Sequence, residues 1–90
     1  MDARTLADTL NIPTRDLAQA SGLDEPHISR WRSGQRGVPA AAEARLESHV
    51  RGQAVHALLV VAAIVAGEGW EQTASRLLRL AGRLGGGAAP

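Results

Sequence analysis

Ninety residues, 44% of them hydrophobic and only 2% aromatic, with no cysteine and a formal net charge of +1, make one small domain or one such domain with an appendage. That leaves no room for a second, enzyme-sized core, excludes disulfides and thiolate-bound metal, and favours helices built on Ala, Leu, Val and Ile over a sheet sandwich. Charge alone does not announce a polyanionic partner, because residues 1–51 hold seven arginines against seven acids; any such contact has to rest on where the arginines sit.

Residues 1–10 place Leu6 and Leu10 at i, i+4 with Ala3 and Ala7 beside them and Asp2 ahead as an N-cap, which predicts a short helix. Asn11, Ile12 and Pro13 end it, since proline disfavours helical geometry in the residue before it, and Ile12 is placed to staple onto Leu17. Residues 14–20 form a second amphipathic turn pair, Leu17 and Ala18 on one side and Arg15, Asp16 and Gln19 on the other, too short to persist without a packing partner. Gly22 then suits the residue just past a helix end, where the backbone turns left-handed. Asp24 stands as the next N-cap, with Glu25 and Pro26 in the first turn. From there Ile28 and Trp31 face back toward Leu17, Ala18 and Leu23, which leaves Glu25, His27, Ser29, Arg30, Arg32 and Ser33 for the outer faces.

Ala18, Gly22, Leu23, Ile28 and Trp31, together with the run Ile-Ser-Arg-Trp-Arg-Ser-Gly over residues 28–34, fall in a spacing that resembles the phage-repressor (Cro/repressor, XRE-type) helix-turn-helix family over residues 11–50. The Ile-Ser-Arg-Trp stretch and the chain length are also similar to the lambdoid lysogeny activator. The resemblance implies a DNA reader whose base-facing positions are Glu25, Pro26, Ser29 and Arg30: Arg30 for a guanine, Ser29 for either base, Glu25 for a cytosine amine. Thr14, His27, Arg32, Ser33, Gln35 and Arg36 are then the expected backbone contacts. Thr14 stands where the family usually has glutamine, and Glu25-Pro26 stands where small amides and hydroxyls are commoner, so no operator sequence carries over.

Residues 33–38 hold two glycines and no periodicity and read as a loop, and residues 28–42 contain Arg30, Arg32 and Arg36 with no acid, a local positive patch. Pro39 opens a further helix to about residue 50, with Ala42, Leu46 and Val50 on one stripe. Gly52 is expected to break it. Residues 53–66, QAVHALLVVAAIVA, are apolar on every side; alanine content and length favour a helix over the strand that Val60, Val61, Ile64 and Val65 would allow. Such a run should be buried nearly all round, and at roughly 14 residues it falls short of the ~20 that span a bilayer, so no membrane contact is expected. Gly67-Glu68-Gly69 breaks the chain again. After it Trp70, Ala74, Leu77, Leu78, Ala81 and Leu84 form a narrow seam, while Arg76, Arg79 and Arg83 read as a solvated face and residues 85–90 as a disordered tail.

The sequence therefore predicts an all-α protein: a compact helix-turn-helix bundle of about four helices over residues 1–51, then one or two apolar C-terminal helices over residues 52–84. More apolar helix follows residue 52 than fifty residues of reader can cover. A second copy meeting it through Leu58, Val61, Val65, Trp70, Leu77 and Leu84 would give a homodimer on an inverted repeat of double-stranded DNA. Folding back on the same chain is the alternative, and capture of a protein partner, as in an antitoxin-like module, is another. His27, His49 and His56 do not make a metal site, and no phosphate loop, nucleophile elbow or carboxylate pair is present, so neither an enzyme nor a cofactor is expected. Without a basic segment followed by an apolar one at its start, the chain is expected to be intracellular: a cytoplasmic, nucleoid-associated transcription regulator, either a repressor or an activator.

Overall fold

The computed structural model describes residues 2–86, and the regular elements among them are all helices: α1 (Ala3–Thr9), α2 (Thr14–Ser21), α3 (Glu25–Arg32), α4 (Ala40–Gly67) and α5 (Glu71–Gly86). The chain divides into two compact units, Met1–Val50 and Arg51–Pro90.

In the first unit, local chemistry sets each boundary. Asp2 caps α1 by accepting from the Thr5 N–H at 2.8 Å, and that bond holds its carboxyl below the ordinary value of 3.8. Asn11 closes the α1–α2 connection in the left-handed region, at φ +58°, which asparagine tolerates better than most residues. Gly22 ends α2 at φ +79° with its N–H on the Ala18 carbonyl. Asp24 caps α3 by accepting from the His27 N–H at 2.8 Å. The turn between them is fixed by Ser21, fully buried, whose hydroxyl donates to the Ala18 carbonyl and accepts from the Leu23 N–H. Arg45 of α4 in turn donates twice to the Ser21 carbonyl, at 2.9 and 3.1 Å. That satisfies an acceptor which the end of α2 would otherwise leave open.

The core of this unit is Leu6, Ala7, Ile12, Leu17, Ala18, Ile28, Trp31, Ala42, Leu46 and Val50. Leu17, Ile28, Leu46 and Val50 are fully enclosed, and each such burial contributes about 1.5–3 kcal/mol. Arg4 lays its guanidinium over the Trp31 ring, 5.3 Å from the centroid, so the tryptophan is covered by a cation rather than by another aromatic.

The second unit corrects several expectations. Gly52 does not break the chain: α4 runs through it as one helix of 28 residues. A single interior glycine costs about 1 kcal/mol relative to alanine, which the strong helix formers on both sides offset. The apolar run is not buried all round, because Leu59, Val60, Val61 and Ile64 remain 44–60% exposed. Nor is the helix too short for a bilayer. By length and composition α4 is long and apolar enough to cross one, and only 17% of its most apolar stretch is buried.

After a turn with Gly69 at φ +87°, α5 folds back along the later part of α4. Arg51 donates to the Leu84 carbonyl, and Val55 lies 3.1 Å from where a Cβ on Gly85 would sit. The face that α4 turns inward carries Ala54 and Ala62, and that of α5 carries Ala74 and Ala81, all four buried. Gly85 and Gly86 belong to α5 rather than to a tail, and the rest of the expected tail, residues 87–90, lies outside the described residues.

Candidate nucleic-acid interface

Helix α3 is eight residues long and two-sided. Ile28 and Trp31 are 0% and 3% exposed, which fixes the rotation of the helix. At 100° per residue the direction opposite them is occupied by Pro26, Ser29, Arg30 and Ser33, and all four are exposed. Of the four positions expected to face bases, Pro26, Ser29 and Arg30 therefore share this outward strip, with Glu25 exposed at its edge. No acid or carbonyl holds the Arg30 guanidinium among the described residues. Asp24 and the Pro26 ring at the second helical position set where the helix starts, so the cap and the outward strip are placed by one short stretch of chain.

The expected backbone contacts divide into two groups. Gln35 and Arg36 are exposed in the loop after α3, and Gln35 is anchored there by its N–H on the Arg30 carbonyl at 2.9 Å. Thr14, half-buried, opens α2, and His27, half-buried, sits on the flank of α3. Ser33 is exposed, but its hydroxyl donates to the Arg30 carbonyl at 3.0 Å, which ties it to its own helix.

Arg32 departs most from expectation. It donates to Asp8 Oδ1 from Nη2 at 2.8 Å and from Nε at 3.2 Å, and from Nη1 to the Ile12 carbonyl. Its planar fork is thus occupied by α1 and the α1–α2 connection, and it acts as a brace for α3 rather than as a free phosphate contact. Arg15, which the sequence only sets on the outer side of its helix, joins the candidate residues by position. It stands exposed beside Thr14 at the start of α2, with no partner among the described residues.

Continuous helix through Gly52 places His49 and His56 two turns apart on α4, yet no group of three or more His, Cys, Asp or Glu among the described residues is arranged to hold a metal ion. Of the six positions expected to meet a second copy, Val61 and Trp70 are exposed, whereas Leu58, Val65, Leu77 and Leu84 are half-buried on the faces that α4 and α5 turn toward each other. Compared with protein-family models, curated proteins and solved structures, the chain matches none.

Proposed function

We propose that the chain is a helix-turn-helix regulator that reads double-stranded DNA through α3, with Arg30 and Ser29 directed at base edges and Gln35, Arg36 and Arg15 at phosphates. The observation that carries this reading is the two-sidedness of α3. One side is locked by Ile28 and Trp31, and the other is an uninterrupted exposed strip that carries the Arg30 guanidinium, without an internal partner among the described residues. A rod so braced and so short fits the major groove, whose width admits one helix. The charge-free face formed by Leu59, Val60, Val61 and Ile64 supports pairing of two copies, which an inverted-repeat operator requires.

A bilayer fits the second unit poorly. Helix α5 lies along α4, and carrying Arg76, Arg79 and Arg83 into hydrocarbon would cost about 2.5–3.5 kcal/mol each near the centre. The exposed face of α4 favours a second reading, a module that captures a partner protein through its apolar residues.

Selection of a preferred duplex from a random pool, followed by binding of Arg30→Ala and Arg36→Ala, tests the first reading. Arg30→Ala should lose about 1–3 kcal/mol of discrimination at one base pair, while Arg36→Ala should weaken all duplexes alike. No enrichment from the pool, with light scattering reporting a monomer that gains a partner only from another polypeptide, would favour the second.

A further inference from the structure

Four arginines are engaged within the fold: Arg4 on Trp31, Arg32 on Asp8, Arg45 on Ser21 and Arg51 on Leu84. Of the other six, three stand together on α5. Arg76, Arg79 and Arg83 are all exposed, at i, i+3 and i+7, on the side opposite buried Ala74 and Ala81. Their neighbours on that side are Gln72, Ser75, Leu80 and Gly82.

Charge is distributed unevenly between the two units. Residues 1–50 carry six arginines and seven acids, a net of −1, while residues 51–90 carry four arginines and two acids, a net of +2. Both of those acids, Glu68 and Glu71, precede the arginine row, and residues 72–90 contain none. The unit that holds the reading helix is thus the more acidic one, and the positive excess lies on α5.

An ordinary solvated helix face alternates signs. Here Arg79 has Arg76 three residues before it and Arg83 four after, and no acid occupies any i±3 or i±4 position of the row. Like charges at these spacings destabilise a helix. The helix dipole offsets this only in the final turn, where Arg83 alone lies. The row is therefore an arrangement that a polyanion laid across it would stabilise.

We infer that Arg76, Arg79 and Arg83 form a second, sequence-independent contact with the phosphate backbone of duplex DNA. This rests on the proposed reading of DNA and adds a binding surface to it. Seven residues of helix advance about 10 Å, the axial length over which one strand of B-DNA presents about three phosphates. The chemistry of the row favours phosphodiester over a lipid surface. Leu80, 39% exposed, is the one large apolar residue beside it, and the other large apolar residues of α5 lie on or beside the face toward α4, so the row offers charges with little to insert among acyl chains.

The test is the salt dependence of duplex binding by the full chain, for the parent and for the combined Arg76→Gln, Arg79→Gln, Arg83→Gln variant, on the preferred duplex and on a scrambled one. Three lost phosphate contacts should make the slope of log K against log salt shallower by about 2.7. The ratio of the two affinities should stay unchanged, because α3 sets it. The matching triple lysine variant should keep the parent slope, and circular dichroism should show the glutamine variant as helical as the parent. An unchanged slope in the glutamine variant overturns the inference and leaves the role of α3 intact. A slope that falls as expected while Arg30→Ala leaves the affinity ratio untouched supports the row and counts against the α3 reading alone. Failure of the parent to bind any duplex overturns both, as does row-dependent binding to phosphatidylglycerol vesicles without binding to DNA.

Discussion

Arg32 of α3 and Asp8 of α1 are joined by an ion pair of 2.8 Å, with the arginine side chain 19% and the aspartate side chain 57% exposed. The same guanidinium also holds the Ile12 carbonyl, so the pair clamps the end of α3 to the turn that enters α2. Truncation to Arg32→Ala should lower the unfolding free energy by about 1–2 kcal/mol, more than an exposed pair would contribute, because a part-buried carbonyl loses its donor as well. Asp8→Asn should cost less. Urea denaturation of both single variants and the double variant would measure the coupling; a loss below a few tenths of a kcal/mol for Arg32→Ala would mean the clamp contributes nothing.

Glycines 22 and 52 should respond in opposite directions to alanine. At Gly22 the backbone is left-handed, φ +79°, and an added Cβ would meet only the Arg45 guanidinium at 3.8 Å. The cost is therefore conformational, about 1–2 kcal/mol. At Gly52 a Cβ would meet nothing within 4 Å and the residue is helical, so Gly52→Ala should stabilise by about 0.5–1 kcal/mol. Thermal melts of the two variants should move apart, and a shared direction would contradict the backbone assignment at one of them.

Below pH 3.8 the cap of α1 should weaken. Asp2 is held below its ordinary value of 3.8 chiefly by the Thr5 N–H, so its contribution is fully present above that value and is lost as pH falls through the lower folded one. Amide exchange at Thr5 and Leu6 should accelerate in that acid range more than exchange within α3. In Asp2→Asn, whose side-chain oxygen still accepts a hydrogen bond without titrating, this pH dependence should vanish.

Pairing of two copies should depend on the free face of α4. Ile64 is 60% exposed and Val60 and Val61 lie beside it, one turn away. Ile64→Glu places a charge there without disturbing any buried group of the same chain. It should convert a dimer to a monomer in size-exclusion chromatography with light scattering, at unchanged helicity. The same substitution at Leu77, half-buried on the face toward α4, should instead lower helicity. If Ile64→Glu leaves the mass of the particle unchanged, the face is not a contact between copies.

The helical character of the chain, the start of α3 and the turn before it were legible in the sequence because each depends on atoms a few residues apart. Asp24 caps a backbone N–H three residues on, Gly22 carries its own φ, and Ile28 and Trp31 meet the core whenever the helix between them forms. What the sequence determined by itself is thus the class of the fold and the two-sidedness of α3. Only the tertiary structure decided that Arg32 belongs to Asp8 and Ile12, that Arg45 completes the end of α2, and that α5 covers one face of α4 while Leu59, Val60, Val61 and Ile64 stay open. Those outcomes join residues 20 to 33 positions apart, where a guanidinium can reach several acceptors and an apolar helix several covers. Only the folded geometry selects among them.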